Sequence, residues 1–136
     1  MASMGPRSAT ELLQLPVQLH GIRLGRPVDM LLDLGEWRAL GFVVLCGDGS
    51  HRFLVFAAAD LGDDAIDVRS ALMLLEDVEF YRARSRSLRE LLGGGLRDLR
   101  LTPAGRVEAL VVEQEGRVRE LRPDGAPVVP ERVSTA

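Results

Sequence analysis

The chain has 136 residues, 46% of them apolar and 27% charged, with a formal net charge of −3. That composition is that of a globular protein rather than a disordered one, and its mild acidity excludes bulk attraction to a phosphate backbone or an anionic membrane. All 17 basic residues are arginine, without a single lysine, and asparagine is also missing; a GC-rich coding sequence accounts for this more simply than selection for phosphate binding, which stays as the alternative. Cys46 is the only cysteine, so no intramolecular disulfide or thiolate metal cluster is expected and a reduced, cytoplasmic setting fits.

Residues 1–14 read as a flexible N-terminal segment with Pro6 and Arg7 and no apolar core of the signal-peptide kind. Val17 to Leu19 reads as a short strand, followed by a turn at His20 and Gly21. Val28 to Leu34 and Trp37 to Cys46 then read as strands around a turn at Gly35 and Glu36. The apolar run Ala39 to Cys46 is far shorter than the ~18–20 residues that span a bilayer. Gly47-Asp48-Gly49-Ser50 is a turn signal, and His51 to Ala57 is the returning strand. After an acidic loop, Ile66 to Val68 alternates as a strand, and Ser70 to Glu76 reads as a turn into another, a capped helix being the alternative. Val78 to Tyr81 alternates like a strand, and Ser87 to Leu92 reads as a capped helical turn with Glu90 three residues after the serine, ended by Gly93-Gly94-Gly95. Leu96 to Leu101, Val107 to Glu113 and Arg117 to Leu121 repeat the strand order, and Pro123, Pro127 and Pro130 shorten the closing strand.

The repetition is the main architectural signal. Leu24 and Phe42 recur as Leu92 and Leu110, both 68 positions later (92−24 and 110−42), while Asp29 recurs as Asp98 after 69 (98−29). Many short strands with glycine-rich turns and short connections predict a mainly β chain: two small antiparallel β-barrel modules in tandem, over 15–76 and 77–131, with a short helical turn between them and a tail at 132–136. A unit of ~60 residues buries only about three-fifths of its unfolded surface, so the copies are expected to stabilise each other.

The order Gly21-Ile22-Arg23-Leu24-Gly25-Arg26-Pro27-Val28-Asp29-Met30-Leu31-Leu32-Asp33, then Arg38 to Val44, Arg52 to Val55 and Ala65 to Val68, resembles the PRC-barrel domain. That family includes the cytoplasmic domain of the photosynthetic reaction-centre H subunit and the C-terminal domain of a bacterial ribosome-maturation factor. The match runs over about residues 15–75, with a weaker copy over about 78–130. The resemblance implies a small β-barrel and a role in docking onto larger assemblies, with no catalytic set to carry over.

His20 and His51 each sit beside a turn without a second ligand at metal spacing, and Asp60, Asp63, Asp64 and Asp67 lack an EF-hand order, so a solvated turn is expected there. Cys46 is expected to be a buried, inert thiol. Gly93-Gly94-Gly95 precedes a strand and so lacks the helix N-terminus of a phosphate cradle. Tyr81, Arg82, Arg84, Arg86 and Arg89 gather four arginines around one aromatic, a pattern suited to phosphates and bases; flanking Glu76, Asp77, Glu79 and Glu90 offer intramolecular partners instead. Trp37 is either a core anchor or an interface residue. The expectation is a non-enzymatic adaptor without cofactor or metal that binds a protein partner or itself, as a homodimer. The alternative is an RNA-linked role in ribosome assembly or RNA processing through the arginine linker.

Overall fold

In the computed structural model, residues 5–123 are described. Strand accounts for 50% of the structure and helix for 18%, so the chain is mainly β. The strands lie in two open sheets rather than two closed barrels.

The first element, β1 (Arg7–Ser8), leads into a one-turn helix, α1 (Ala9–Leu12). After β2 (Val17–Leu19), the long strand β3 (Ile22–Asp33) turns into β4 (Arg38–Cys46) and then β5 (His51–Val55), an antiparallel meander. An arm follows, with Phe56 in a single 3-10 turn, then the small hairpin β6 (Asp60–Leu61) and β7 (Ile66–Asp67), then β8 (Leu74–Leu75), which pairs with the outer edge of β5. The second copy consists of α2 (Val78–Arg82), β9 (Arg86–Ser87), α3 (Leu88–Gly93) and the meander β10 (Leu96–Leu101), β11 (Val107–Gln114) and β12 (Arg117–Leu121).

Three expectations change. Residues 78–81 form a helix, not a strand, because Asp77 caps it by accepting the Phe80 amide at 3.2 Å and the spacing of Val78 and Tyr81 puts both on the face that meets Phe53. Within the supposedly flexible residues 1–14, β1 and α1 are well-formed elements, with Ser8, Ala9 and Leu12 buried. The similarity of Leu24 to Leu92 is not structural, since Leu24 lies in β3 and Leu92 in α3. One pairing is parallel, β2 with β7, and the chain reaches it through the whole β3–β5 meander rather than a βαβ unit. The expected tail at 132–136 lies outside the described residues.

From Asp29 and Asp98 onward the copies match in detail. Met30 faces Phe42 as Leu99 faces Leu110, and Asp29 faces Val43 as Asp98 faces Val111. Both hairpins carry a bulge just before the aspartate, at Pro27/Asp29 and Leu96/Asp98, and a second one nearer the turn, at Leu31/Leu32 and Arg100/Leu101. The first bulge is also where Pro27, without an amide to donate, is tolerated inside a strand.

The copies are reciprocally hooked. Arg7 and Ser8 pair with Leu101 and Arg100 of the second hairpin, while Arg86 and Ser87 pair with Leu32 and Leu31 of the first. At the hairpin turns the two copies meet each other: Arg38 bridges Arg106, the Ala39 amide donates to the Gly105 carbonyl at 2.7 Å, and the Val107 amide donates to the Trp37 carbonyl at 2.8 Å. The Arg38–Arg106 bridge is its own mirror under exchange of the copies and the two amide bonds are mirrors of each other, so the chain has a pseudo-two-fold axis between Arg38 and Arg106. One continuous core runs across the axis, from Phe42, Val44 and Leu54 to Leu99, Leu101 and Val107. A second, smaller cluster of Leu31, Val43 and Phe53 lies on the back of the first hairpin under Val78 and Tyr81.

Candidate functional site

Each hook is held by a buried or half-buried carboxylate. Ser87 caps α3 by accepting the Glu90 amide at 3.3 Å, and its hydroxyl donates to Asp29 Oδ2. Asp29 Oδ1 accepts the amides of Arg89 at 3.1 Å and Met30 at 2.8 Å. The other latch is its copy: Ser8 accepts the Glu11 amide at 3.2 Å and donates to Asp98 Oδ2, while Asp98 Oδ1 accepts the amides of Thr10 at 3.0 Å and Leu99 at 2.7 Å. The sequence carries the signal for this as Arg7-Ser8-Ala9-Thr10-Glu11-Leu12-Leu13 and Arg86-Ser87-Leu88-Arg89-Glu90-Leu91-Leu92. The second of these reads as a capped turn from its own residues, and the serine and acid partners are too far apart in sequence to be matched by spacing.

The latches explain two of the six residues singled out as a possible interaction site. Arg89 is spent on the hook, with its amide on Asp29 and its guanidinium on the Val28 carbonyl at 3.0 Å. Arg86 lies in β9 with its side chain exposed. The other linker residues sit on the back of the first hairpin. Tyr81 stacks on Phe53 with ring centroids 4.0 Å apart, and Phe80 meets Tyr81 edge-on at 5.1 Å. Arg84 lies 3.8 Å over the Phe80 ring and donates to the Phe80 carbonyl at 2.8 Å, while Arg82 pairs with Glu79 at 3.2 Å. Three of the four arginines, Arg82, Arg84 and Arg89, are therefore engaged within the chain.

These surface contacts are individually weak. Exposed ion pairs and cation–π contacts are worth about 0–1 kcal/mol each. Replacing Arg82, Arg84 and Arg86 together by alanine is expected to lower stability by no more than about 1–2 kcal/mol. A thermal melt of the triple variant checks this, and a collapse of the fold would contradict the placement of these side chains at the surface.

Trp37 ends up elsewhere, at the pseudo-two-fold axis. It adopts a left-handed backbone, φ 53°, and its counterpart across the axis is Gly105 at φ 90°. A side chain that is not glycine in this region is uncommon and its cost must be recovered by contacts. The indole is half-buried against the main core and lines a groove of about 440 Å³ on the second copy, with Leu34, Leu96, Leu110, Val112 and Leu121. Trp37 is thus both a core contact and the wall of an accessible apolar surface.

Among the described residues no group of three or more His, Cys, Asp and Glu is placed to hold a metal ion. Likewise no helix there is long and apolar enough to cross a membrane. Asp48 is held below the usual carboxylate range by the Ser50 hydroxyl and amide, which donate to it at 2.6 and 2.9 Å, as a solvated turn predicts. Cys46, expected to be buried, is half-buried at the end of β4; burial is the main cause that pushes its thiol up, so little thiolate exists at neutral pH. The chain matches no protein-family model and no curated protein.

Proposed function

We propose that this chain is a non-catalytic docking protein of PRC-barrel-like build, acting in the cytoplasm, and that the groove walled by Trp37 is where a partner protein binds. The observation that carries this reading is the chemistry of the two faces of the second hairpin. On the outer face, Leu31 and Phe53 of the first copy are replaced in register by Arg100 and Glu120, which pair with each other at 3.8 Å. On the inner face, Met30, Phe42, Val44 and Leu54 are matched by Leu99, Leu110, Val112 and Leu121, all still apolar. Of the three residues that α2 covers in the first copy, Leu31 and Phe53 are matched by charged side chains and Val43 by Val111, whereas every position along the groove stays apolar. Apolar side chains kept on a surface that the described residues cover only in part mark a site of contact.

The linker arginines support RNA binding less well, because three of the four already hold a partner inside the chain and acidic Glu79 lies among them. The discriminating experiment is capture from lysate with the wild-type chain and with Val112→Arg, treated with nuclease and washed at high salt. A discrete protein retained by the wild type through both treatments and lost from Val112→Arg supports docking through the groove. Material that nuclease or salt removes equally from both points to phosphate contacts and overturns it, since such contacts weaken steeply with salt.

A further inference from the structure

Independently of the docking groove, we infer that Arg38 and Arg106 form an anion clamp at the pseudo-two-fold axis, in which one phosphate group is held between the two copies. The backbone forces these side chains together. The Ala39 amide donates to the Gly105 carbonyl and the Val107 amide to the Trp37 carbonyl, so Arg38 and Arg106 face each other between the two bonds as a non-hydrogen-bonded antiparallel pair. Such a pair has Cα atoms about 4.5 Å apart and both side chains on one face, the closest approach that paired strands allow. Ala39 and Val107, the next residue in each copy, are buried in the shared core, which puts both arginines on the outer face, where both are exposed.

Like charges directly opposite each other destabilise a strand pair. Among the described residues these are the only two arginines paired with each other, and neither guanidinium has a hydrogen bond or ion pair there. Arg38 has Asp33 across its own hairpin, yet that carboxylate turns back to accept the Glu36 amide at 3.1 Å and makes no ion pair with the arginine. In the second copy the register puts Thr102 in the place of Asp33, and its hydroxyl accepts the Arg106 amide at 3.2 Å. Glu108, two residues beyond Arg106 and exposed on the same face, makes no ion pair among the described residues. Two unneutralised forks therefore meet at one point, one from each copy. A carboxylate offers a single two-oxygen edge, which one guanidinium satisfies; a phosphate group has a second edge for the second fork. Either arginine alone is half a site.

Inorganic phosphate is the probe, titrated into the full chain near neutral pH in chloride buffer of constant ionic strength, with the Nε–H signals of Arg38 and Arg106 followed by NMR. Both signals are expected to move to one saturation point, with a dissociation constant of about 1–10 mM. Arg38→Gln and Arg106→Gln should each weaken binding by about tenfold, while Arg86→Gln, which removes an exposed arginine away from the axis, should leave it unchanged. Glu108→Gln should tighten binding about twofold by removing a nearby like charge to the ligand. In phosphate-free buffer Arg38→Gln should melt at or above the wild-type temperature, because it relieves the like-charge apposition. Glycerol phosphate separates the sources: binding as tight as that of the free ion identifies a phosphomonoester, weaker binding identifies inorganic phosphate, and either supports the clamp. No saturable shift through tens of millimolar, an equal response to acetate, an equal loss in Arg86→Gln, or a lower melting temperature for Arg38→Gln overturns the inference. So does a shift of the two arginine signals on Asp124→Asn with Glu131→Gln in phosphate-free buffer, since the chain itself would then supply the counter-charge.

Discussion

Asp29→Ala is expected to destabilise the fold by about 3 kcal/mol or more, the largest effect of any single polar substitution among the described residues. The carboxylate is 7% exposed and satisfies three donors, the Ser87 hydroxyl and the amides of Arg89 and Met30. Alanine leaves the buried Met30 amide without an acceptor and takes the shared acceptor from the part-buried Ser87 hydroxyl and Arg89 amide, and an orphaned buried donor costs about 1–3 kcal/mol. The equivalent Asp98→Ala should cost less, about 2 kcal/mol, because that latch is only half-buried and water replaces part of what is lost. Asp29→Asn separates geometry from charge: the amide oxygen still accepts both backbone donors and the amide nitrogen faces the Ser87 oxygen, so a loss below about 1.5 kcal/mol is expected. Urea denaturation of the three variants checks the order. An Asp29→Ala midpoint indistinguishable from wild type would show that the hook of the second copy does not depend on this latch.

Gly41→Ala is the second large effect, expected to cost about 3 kcal/mol or to prevent folding, at or beyond the upper end for overpacked cores. A methyl group at Gly41 would be driven into the Leu54 carbonyl and to within 2.7 Å of the tip of the Phe53 ring. The carbonyl belongs to the β4–β5 ladder and the ring is fully buried, so neither can withdraw cheaply. The second copy carries Ala109 at this position without difficulty, for a visible reason. Its third strand stops at Leu121, opposite Leu110, whereas β5 runs on to Val55 opposite Gly41, and the place of the Phe53 ring is taken by Glu120. A circular dichroism melt of Gly41→Ala settles the matter, and a wild-type transition would contradict the close approach of β5.

Much of the strand order is legible in the sequence because it is written locally. The alternation and turn residues from Val28 to Ala57, and again from Leu96 to Leu121, specify meanders whose registers follow from their own glycine and proline punctuation. The capped turn at Ser87 is equally local. What the sequence hides is long-range. Ser8 and Asp98 are 90 residues apart, and Ser87 and Asp29 are 58 apart; nothing in the spacing says that the first hook closes on the second hairpin and the second on the first. The helix at Val78 was masked by a two-residue alternation that also fits a one-turn helix with Val78 and Tyr81 inward, and only the cap at Asp77 distinguishes the two. The candidate site was legible only in pieces. Trp37 and Arg86 are far apart in the chain, and the sequence offers one as a core or interface residue and the other as part of a basic patch. The pseudo-two-fold axis assigns each a counterpart in the other copy, Gly105 for Trp37 and Arg7 for Arg86.

Every functional step rests on that reciprocal exchange, and native-state amide hydrogen exchange at Thr10 and Arg89 tests it most directly. Both amides donate to the carboxylate of the opposite hairpin, Thr10 to Asp98 and Arg89 to Asp29. They are therefore expected to be protected together with the core strands, and Asp98→Ala should selectively accelerate exchange at Thr10. Exchange of Thr10 at the rate of a frayed terminus, unchanged by Asp98→Ala, would contradict the hook, and with it the pseudo-two-fold relation between the copies.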